Sequence, residues 1–257
     1  MTKLSEIGGR RFPFLRWSAW RMALGGRHLM KHWQVGDGRE EALAAYVTSN
    51  AAAGDVEDAI RVVDEFCYQH SVMMNVGDEK GQILDAAVRR VQPGLLLELG
   101  AYCGYSALRM ARMMPQGARL YSVEFAEANA AVARRIWEHA GVTDRITAVV
   151  GSIGDGGATL DMLESSCGFG PGALDLLFID HDKAAYLPDL ELILERRWLH
   201  KGSVAVADNV RVPGAPAYRA YMREQEGSTW RTVEHKTHVE YQTLIPDLVL
   251  ESEYLGS

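Results

Sequence analysis

The sequence predicts an α/β fold in which a doubly wound, mostly parallel sheet carries an antiparallel hairpin at its C-terminal edge. Short apolar segments alternate with segments of helical periodicity, and the connections between them are short. Several of the apolar segments end in an acidic residue. After residue 226 the alternation gives way to extended segments, which is typical of a hairpin on the edge of a mixed sheet.

Periodicity, together with glycine and proline, sets the order of the elements. Gly54-Asp55 separates two leading helices, and a polar, glycine-bearing loop over residues 74–81 precedes a third helix that Pro93-Gly94 ends. We expect helices over 39–48, 56–70, 83–91, 105–114, 126–140, 186–198 and 217–226, and strands over 95–99, 118–123, 146–150, 174–179 and 203–207. Of the C-terminal segments 230–237, 239–245 and 248–255, two or three should be strands.

The first strand and its turn, residues 95–106, are the most informative segment. The apolar run suits a strand buried on both faces, and we expect Gly100 and Gly104 to let the backbone turn tightly and approach a ligand. The spacing G-x-x-x-G differs from the G-x-G-x-x-G that a dinucleotide requires. It favours S-adenosylmethionine, whose cationic sulfonium would suit a nearby Glu98. A plain glycine turn after an α/β strand is the alternative.

Composition limits the function classes. The chain has 257 residues, of which 47% are hydrophobic, and a formal charge of −7. This composition predicts a globular protein and no nucleic-acid partner. Cys67, Cys103 and Cys167 form no C-x-x-C pair, which argues against a disulfide framework or a zinc site and fits the cytoplasm. We expect one catalytic domain over residues 35–257, in a monomer or a homodimer.

Residues 1–34 form a separate extension, rich in arginine and aromatic residues. It lacks the unbroken apolar run of a signal peptide or a membrane span. A helix that packs on the domain or on a second subunit is the favoured interpretation, and contact with an anionic membrane surface is the alternative.

Polar residues at the strand ends should converge, because ligands in open α/β sheets bind beyond the carboxyl ends of the strands. These residues are Glu98, Glu124, Asp180 and Asp208-Asn209. Glu124 ends the second strand, where an acid can accept hydrogen bonds from both hydroxyls of a ribose. A helix-capping or solvated acid is the alternative.

Asp180, Asp208 and Asn209 offer an all-oxygen donor set that suits Mg²⁺. A cation would also compensate an acid placed directly after a buried strand. Lys183 follows Asp180 by three residues, so its amine could reach a substrate held at the metal, although by residue type alone a surface lysine is the commoner case.

These residues stand in blocks that resemble the metal-dependent catechol O-methyltransferases, over about residues 35–256. The blocks are 74–78 (MNVGD) with 80–82 (KGQ), 97–106 (LELGAYCGYS), 180–181 (DH), 199–202 (LHKG), 207–210 (ADNV) with 212–214 (VPG), and 240–241 (EY). The resemblance implies a Rossmann-like fold with a seven-stranded sheet, and methyl transfer from S-adenosylmethionine to one hydroxyl of a catechol or similar vicinal aromatic diol.

The resemblance also implies residue roles. Lys183 would be the general base and Glu240 would hold the second hydroxyl, while Asp180, Asp208 and Asn209 would bind Mg²⁺. Substrate contacts would come from Lys183, Asn209, Pro213 and Glu240. The cofactor site would comprise Met74, Val76, Glu98, Gly100, Tyr102, Ser106, Glu124, Phe125, Ile153 and His181.

The chain departs from the family pattern at the site itself. Asp182 stands where vertebrate members carry a tryptophan, Val72 and Val239 replace larger apolar residues, and Phe125 replaces a methionine. Residues 151–154 lack the family's serine-glutamine pair. These changes leave open an O-methyltransferase for a different diol of secondary metabolism. A non-catalytic, cofactor-binding protein at a membrane is a further alternative, and the glycine spacing disfavours a nicotinamide oxidoreductase.

Overall fold

The computed structural model describes residues 34–256 together with Trp20. The predicted N-terminal extension, and with it the expected contact with a subunit or a membrane, therefore lies almost entirely outside the described residues. Among the helices that are described, none is both long and apolar enough to cross a membrane.

The described residues form one seven-stranded sheet in the order β3-β2-β1-β4-β5-β7-β6. Only β7 runs antiparallel to the others, because it pairs in the opposite direction with both β5 and β6. The strands are β1 Leu95–Leu99, β2 Arg119–Glu124, β3 Ile146–Val150, β4 Leu174–Ile179, β5 Leu199–Ala207, β6 Trp230–His238 and β7 Pro246–Tyr254. The predicted fold class, including the antiparallel C-terminal hairpin, is confirmed.

Helices cover both faces of the sheet. They are α1 Arg39–Asn50, α2 Val56–Gln69, α3 Gly77–Val91, α4 Tyr105–Met113, α5 Glu127–His139, α6 Ala158–Cys167, α7 Tyr186–Glu195 and α8 Pro216–Glu224. Successive residues of a strand point to opposite faces. Accordingly, Leu96 packs in the core under α1 to α5, whereas Leu97 and Leu99 pack in the core under α6 to α8.

The strand register sets the position of the site. Leu99 of β1 pairs with Val123 of β2 and with Ile179 of β4, and Ile179 pairs with Ala207 of β5. The carboxyl ends of these strands are therefore level. The residues that follow them in the chain emerge at one edge of the sheet.

The structure differs from the predicted elements in several places. Strand β5 begins at Leu199, four residues before the predicted strand, and the helix before it ends at Glu195, short of residue 198. Helix α6 was not predicted, since the glycines and serines around it hide its periodicity. Helix α3 begins at Gly77, so the second half of the predicted polar loop is its first turn. Residues 239–245 are a turn between β6 and β7. In that turn the side chain of Gln242 donates to the carbonyls of Val239 and Ile245, which replaces the hydrogen bonds that a strand would make.

Candidate active site

A cavity of about 1140 Å³ opens at the carboxyl edge of the sheet. Most of the predicted site residues line it, namely Met74, Gly100, Tyr102, Ser106, Glu124, Phe125, Ile153, Asp180, His181, Lys183, Asn209, Pro213 and Glu240. Val76, Glu98 and Asp208 are buried behind its wall. The fold thus brings together residues that are more than 160 positions apart in the chain, such as Met74 and Glu240.

Glu124 is held in place at the end of β2. One carboxylate oxygen accepts from the backbone N–H of Tyr102 at 2.8 Å, and the other accepts from the N–H of Ala126 at 2.9 Å. Burial raises the pKa of this carboxyl above its ordinary value, although these hydrogen bonds oppose the effect. Glu124 therefore supports the start of α5 and also faces the cavity, so the two interpretations of this acid are compatible.

Glu98 lies one layer behind the wall. Its carboxylate accepts hydrogen bonds from the hydroxyls of Ser106 and Ser122. Complete burial raises the pKa of Glu98 to about 7, and the two serines only partly offset this. Ser106 stands between the acid and the cavity.

The two glycines of the β1 turn are required by packing within the protein. A Cβ on Gly100 would lie 2.5 Å from the carbonyl oxygen of Asp180, and one on Gly104 would lie 2.4 Å from Nε1 of Trp137. Both glycines have positive φ, +99° and +82°. Gly100 also lines the cavity, whereas the closest constraint on Gly104 is the indole, which donates to its carbonyl at 2.9 Å.

Lys183 is held by two partners. Its Nζ lies 2.9 Å from Asp180 Oδ1 and donates to the hydroxyl of Tyr186 at 2.5 Å. That hydroxyl in turn donates to the backbone carbonyl of Asp208 at 3.0 Å. These contacts fix the amine at the cavity wall, next to the ends of β4 and β5.

His181 is fixed from the side of α7. Its Nε2 lies 2.9 Å from Asp189 Oδ2, and its ring stacks on Tyr186 with the centroids 5.2 Å apart. Its Nδ1 is buried and has no hydrogen-bond partner among the residues that the structure describes.

A buried lysine that the sequence analysis did not assign lies next to Glu240 of the cavity wall. Lys80 of α3 is 1% exposed, and its ammonium group contacts the carboxylates of Asp208, at 2.8 Å, of Glu240, and of Asp247, at 3.2 Å. Burial alone would lower the pKa of Lys80, but these carboxylates raise it, so the side chain is charged. The block KGQ contains this lysine, yet nothing local signals that helix α3 buries it against acids.

The donor set at the ends of β4 and β5 fits a hard cation. Asp180 and Asn209 line the cavity, and Asp208 lies directly behind them. Asp208 Oδ2 is buried and accepts no hydrogen bond from the described residues, although Lys80 contributes positive charge beside it. No group of three or more His, Cys, Asp or Glu side chains in the described part of the chain is arranged to hold a metal. The predicted set has two carboxylates and one amide, and oxygen ligands of this kind are those that Mg²⁺ takes.

Comparison with known proteins shows the family of the chain. The profile of the O-methyltransferase family matches residues 51–227. The chain belongs to this family. It is therefore an S-adenosylmethionine-dependent O-methyltransferase. A probable O-methyltransferase of Mycobacterium tuberculosis is 64% identical over 235 residues, which are 91% of this chain and 100% of that protein. The catechol O-methyltransferase of Mus musculus is 38% identical over 214 residues, which are 83% of this chain and 78% of that protein.

Solved structures of O-methyltransferases share the fold. The enzyme TomG of Streptomyces achromogenes, crystallised in complex with SAM, superposes with a TM-score of 0.61 at 22% identity, over 86% of this chain and 99% of that one. The O-methyltransferase of Bacillus cereus, crystallised with SAH, gives a TM-score of 0.59 at 22% identity, over 83% of this chain and 97% of that one.

Proposed function

We propose that this O-methyltransferase is Mg²⁺-dependent and transfers the methyl group of S-adenosylmethionine to one hydroxyl of a catechol or similar vicinal aromatic diol. The observation that carries the proposal is the arrangement around one cavity. Glu124, Phe125, Lys183, Asn209 and Glu240 all line it. The first two would form the cofactor side of the cavity, and the other three its acceptor side.

Lys183 and Glu240 supply complementary functions for a diol. The amine of Lys183, held by Asp180 and Tyr186, would take the proton from the hydroxyl that is methylated. The carboxylate of Glu240 would accept a hydrogen bond from the neighbouring hydroxyl. A substrate with a single hydroxyl could use only one of these contacts, so Lys183 and Glu240 together favour vicinal diols.

Asp180, Asp208 and Asn209 would hold the Mg²⁺ ion. When bound, such an ion favours loss of the hydroxyl proton and fixes the orientation of the diol. The chain's own contribution is to align the acceptor oxygen with the methyl group for a direct in-line transfer, within a site that limits the access of water. The bond between the methyl carbon and sulfur breaks, and its electron pair stays on sulfur. A lone pair of the acceptor oxygen forms the new bond to the methyl carbon.

On the cofactor side, Glu124 would accept hydrogen bonds from the ribose. Phe125, which is 65% exposed in the cavity wall, offers an apolar surface for the adenine. Asp182 also lines this region and caps the turn before α7 by accepting from the N–H of Ala184 at 3.1 Å. An acid thus stands where vertebrate catechol O-methyltransferases carry a stacking tryptophan.

On the acceptor side, Val72, Val212, Pro213, Val239 and Ile245 form an apolar wall. Val72 and Val239 replace larger apolar residues of the family, so the cavity has room for an aromatic ring with a bulky substituent. This observation favours a second candidate, an O-methyltransferase for a larger diol of secondary metabolism. Both candidates use the same base and the same diol-binding acid.

The test is methyl transfer from labelled S-adenosylmethionine to 3,4-dihydroxybenzoate, with Mg²⁺ and with excess chelator. Turnover that chelation abolishes, and that is absent with 3-hydroxybenzoate or 4-hydroxybenzoate, supports the proposal. Equal turnover with and without chelator would contradict the proposed Mg²⁺ dependence. Equal turnover of a monohydroxybenzoate and of 3,4-dihydroxybenzoate would contradict the proposed specificity for diols. Turnover only with larger catechols in a parallel panel would favour the second candidate.

A further inference from the structure

Asp247, at the start of β7, has no role in the site described so far, yet its carboxylate makes an unusual set of contacts. It is 2% exposed. Oδ1 accepts from the backbone N–H groups of Arg211, at 3.3 Å, and Val212, at 3.0 Å. Oδ2 accepts from Asn209 Nδ2 at 2.9 Å and from Lys80 Nζ at 3.2 Å. One buried acid therefore ties the turn after β5 to the side chain of Asn209.

The amide of Asn209 has only one orientation that satisfies its neighbours. Nδ2 donates to Glu240 Oε1 at 2.9 Å and to Asp247 Oδ2 at 2.9 Å. Both partners are carboxylates, and an ionised carboxylate can only accept. A flipped amide would set its oxygen against carboxylate oxygens and lose both hydrogen bonds. The oxygen of Asn209 must therefore point away from Glu240 and Asp247.

Lys80 compensates the charge of the buried carboxylates that orient Asn209. A buried carboxylate without a partner strongly destabilises the folded protein. The ammonium group of Lys80 lies among Asp208, Glu240 and Asp247, so it compensates the acids that orient the amide. The orientation is thus built into the protein by fixed charges.

We propose that Asp247 is a positioning residue that keeps the amide oxygen of Asn209 facing the cation site. The inference rests on the proposed function, in which Asn209 is a ligand of Mg²⁺. Asp247 acts through Asn209, and it is itself anchored by Lys80 and by the backbone of the turn after β5.

The test is Asp247→Asn in the full-length protein. The asparagine of the variant has only one acceptor oxygen, which can face either the two backbone N–H groups or Asn209 and Lys80. The donors of the other pair then lose their acceptor. We expect the dissociation constant of Mn²⁺, measured by electron paramagnetic resonance without substrate, to rise about 10- to 100-fold. The affinity for S-adenosylmethionine, measured by calorimetry without metal, should change by less than about twofold.

Asp175→Asn is the matched control. Oδ2 of Asp175 also accepts from two backbone N–H groups, those of Gly94 at 2.7 Å and Leu95 at 2.9 Å, but it lies at the opposite end of the strands. Its Mn²⁺ affinity should equal that of the wild type. A wild-type protein that binds no Mn²⁺ would overturn the proposed metal site and this inference with it. Equal Mn²⁺ affinity in Asp247→Asn and the wild type would overturn the inference alone.

A second measurement is independent of how the variant folds. In the metal-free wild type, both side-chain amide protons of Asn209 should exchange slowly with solvent by NMR, with the signals assigned by their loss in Asn209→Ala. Rapid exchange of either proton would show that the amide is not held, and would overturn the inference.

Discussion

Lys183 and Tyr186 form a short chain of hydrogen bonds across the site, in which the lysine amine donates to the tyrosine hydroxyl at 2.5 Å. The hydroxyl in turn donates to the backbone carbonyl of Asp208 at 3.0 Å. Because Tyr186 is fully buried, it links the proposed base at the cavity wall to the end of β5 through the interior. The position of the amine thus depends on a residue that does not line the cavity.

Lys183→Ala should abolish most of the turnover and leave cofactor binding intact. General-base catalysis contributes about 10²- to 10⁴-fold, so we expect kcat to fall by that order. Labelled methyl transfer and calorimetric binding of S-adenosylmethionine measure the two effects. Lys201→Ala is the control, since Lys201 is exposed. Unchanged turnover of the Lys183 variant would contradict the assigned role.

Tyr186→Phe should lower both turnover and stability. Removing its hydroxyl deprives Lys183 of an acceptor and the Asp208 carbonyl of a donor, so we expect a loss of about 1 to 3 kcal/mol in the free energy of unfolding. Tyr218→Phe is the matched control. Tyr218 is equally buried, but its hydroxyl has no hydrogen-bond partner within the described residues, so its removal should cost little. Urea denaturation compares the two, and equal losses would refute the bonding role of Tyr186.

Glu98→Gln should change how stability depends on pH. The pKa of Glu98 is about 7 in the folded protein and near its ordinary value of 4.5 in the unfolded chain. The folded state therefore holds the proton more tightly, and this group lowers the free energy of unfolding as pH rises from about 4.5 to 7. The wild type should lose up to about 3 kcal/mol relative to the glutamine variant across this window. A difference between the two proteins that stays constant from pH 4.5 to 8 would exclude this effect.

Gly104→Ala should destabilise the protein more than Gly117→Ala does. Both glycines have nearly the same φ, +82° and +83°, so the backbone strain of an alanine, about 1 to 2 kcal/mol, is shared. A Cβ at position 104 would collide with Trp137, whereas at position 117 it would meet no heavy atom of the described residues within 4 Å. Overpacking adds about 1 to 3 kcal/mol. Denaturant unfolding of both variants measures the difference, and equal losses would argue against the collision.

Much of the fold was predictable because its signals are local. The apolar run at β1 and the acids that follow the strands indicated where the carboxyl edge lies, and β4 was predicted with its exact bounds. Residues 239–245 were harder, because Val239 and Ile245 are apolar like a strand, while the hydrogen bonds of Gln242 make the segment a turn. Helix α6 was missed because the glycines and serines around it give little periodicity.

By itself, the sequence determined the sheet, the residues that end its strands and the kinds of side chain that gather there. These follow from residue spacing and from the rule that sites lie beyond the carboxyl ends of parallel strands. Only the tertiary structure decided which of those side chains reach the cavity. Asp208 and Glu98 lie behind the wall, since other residues cover them. The hydrogen bond between Lys80 and Asp247 joins residues 167 positions apart, so it depends on how α3 packs on the sheet, which no local pattern encodes.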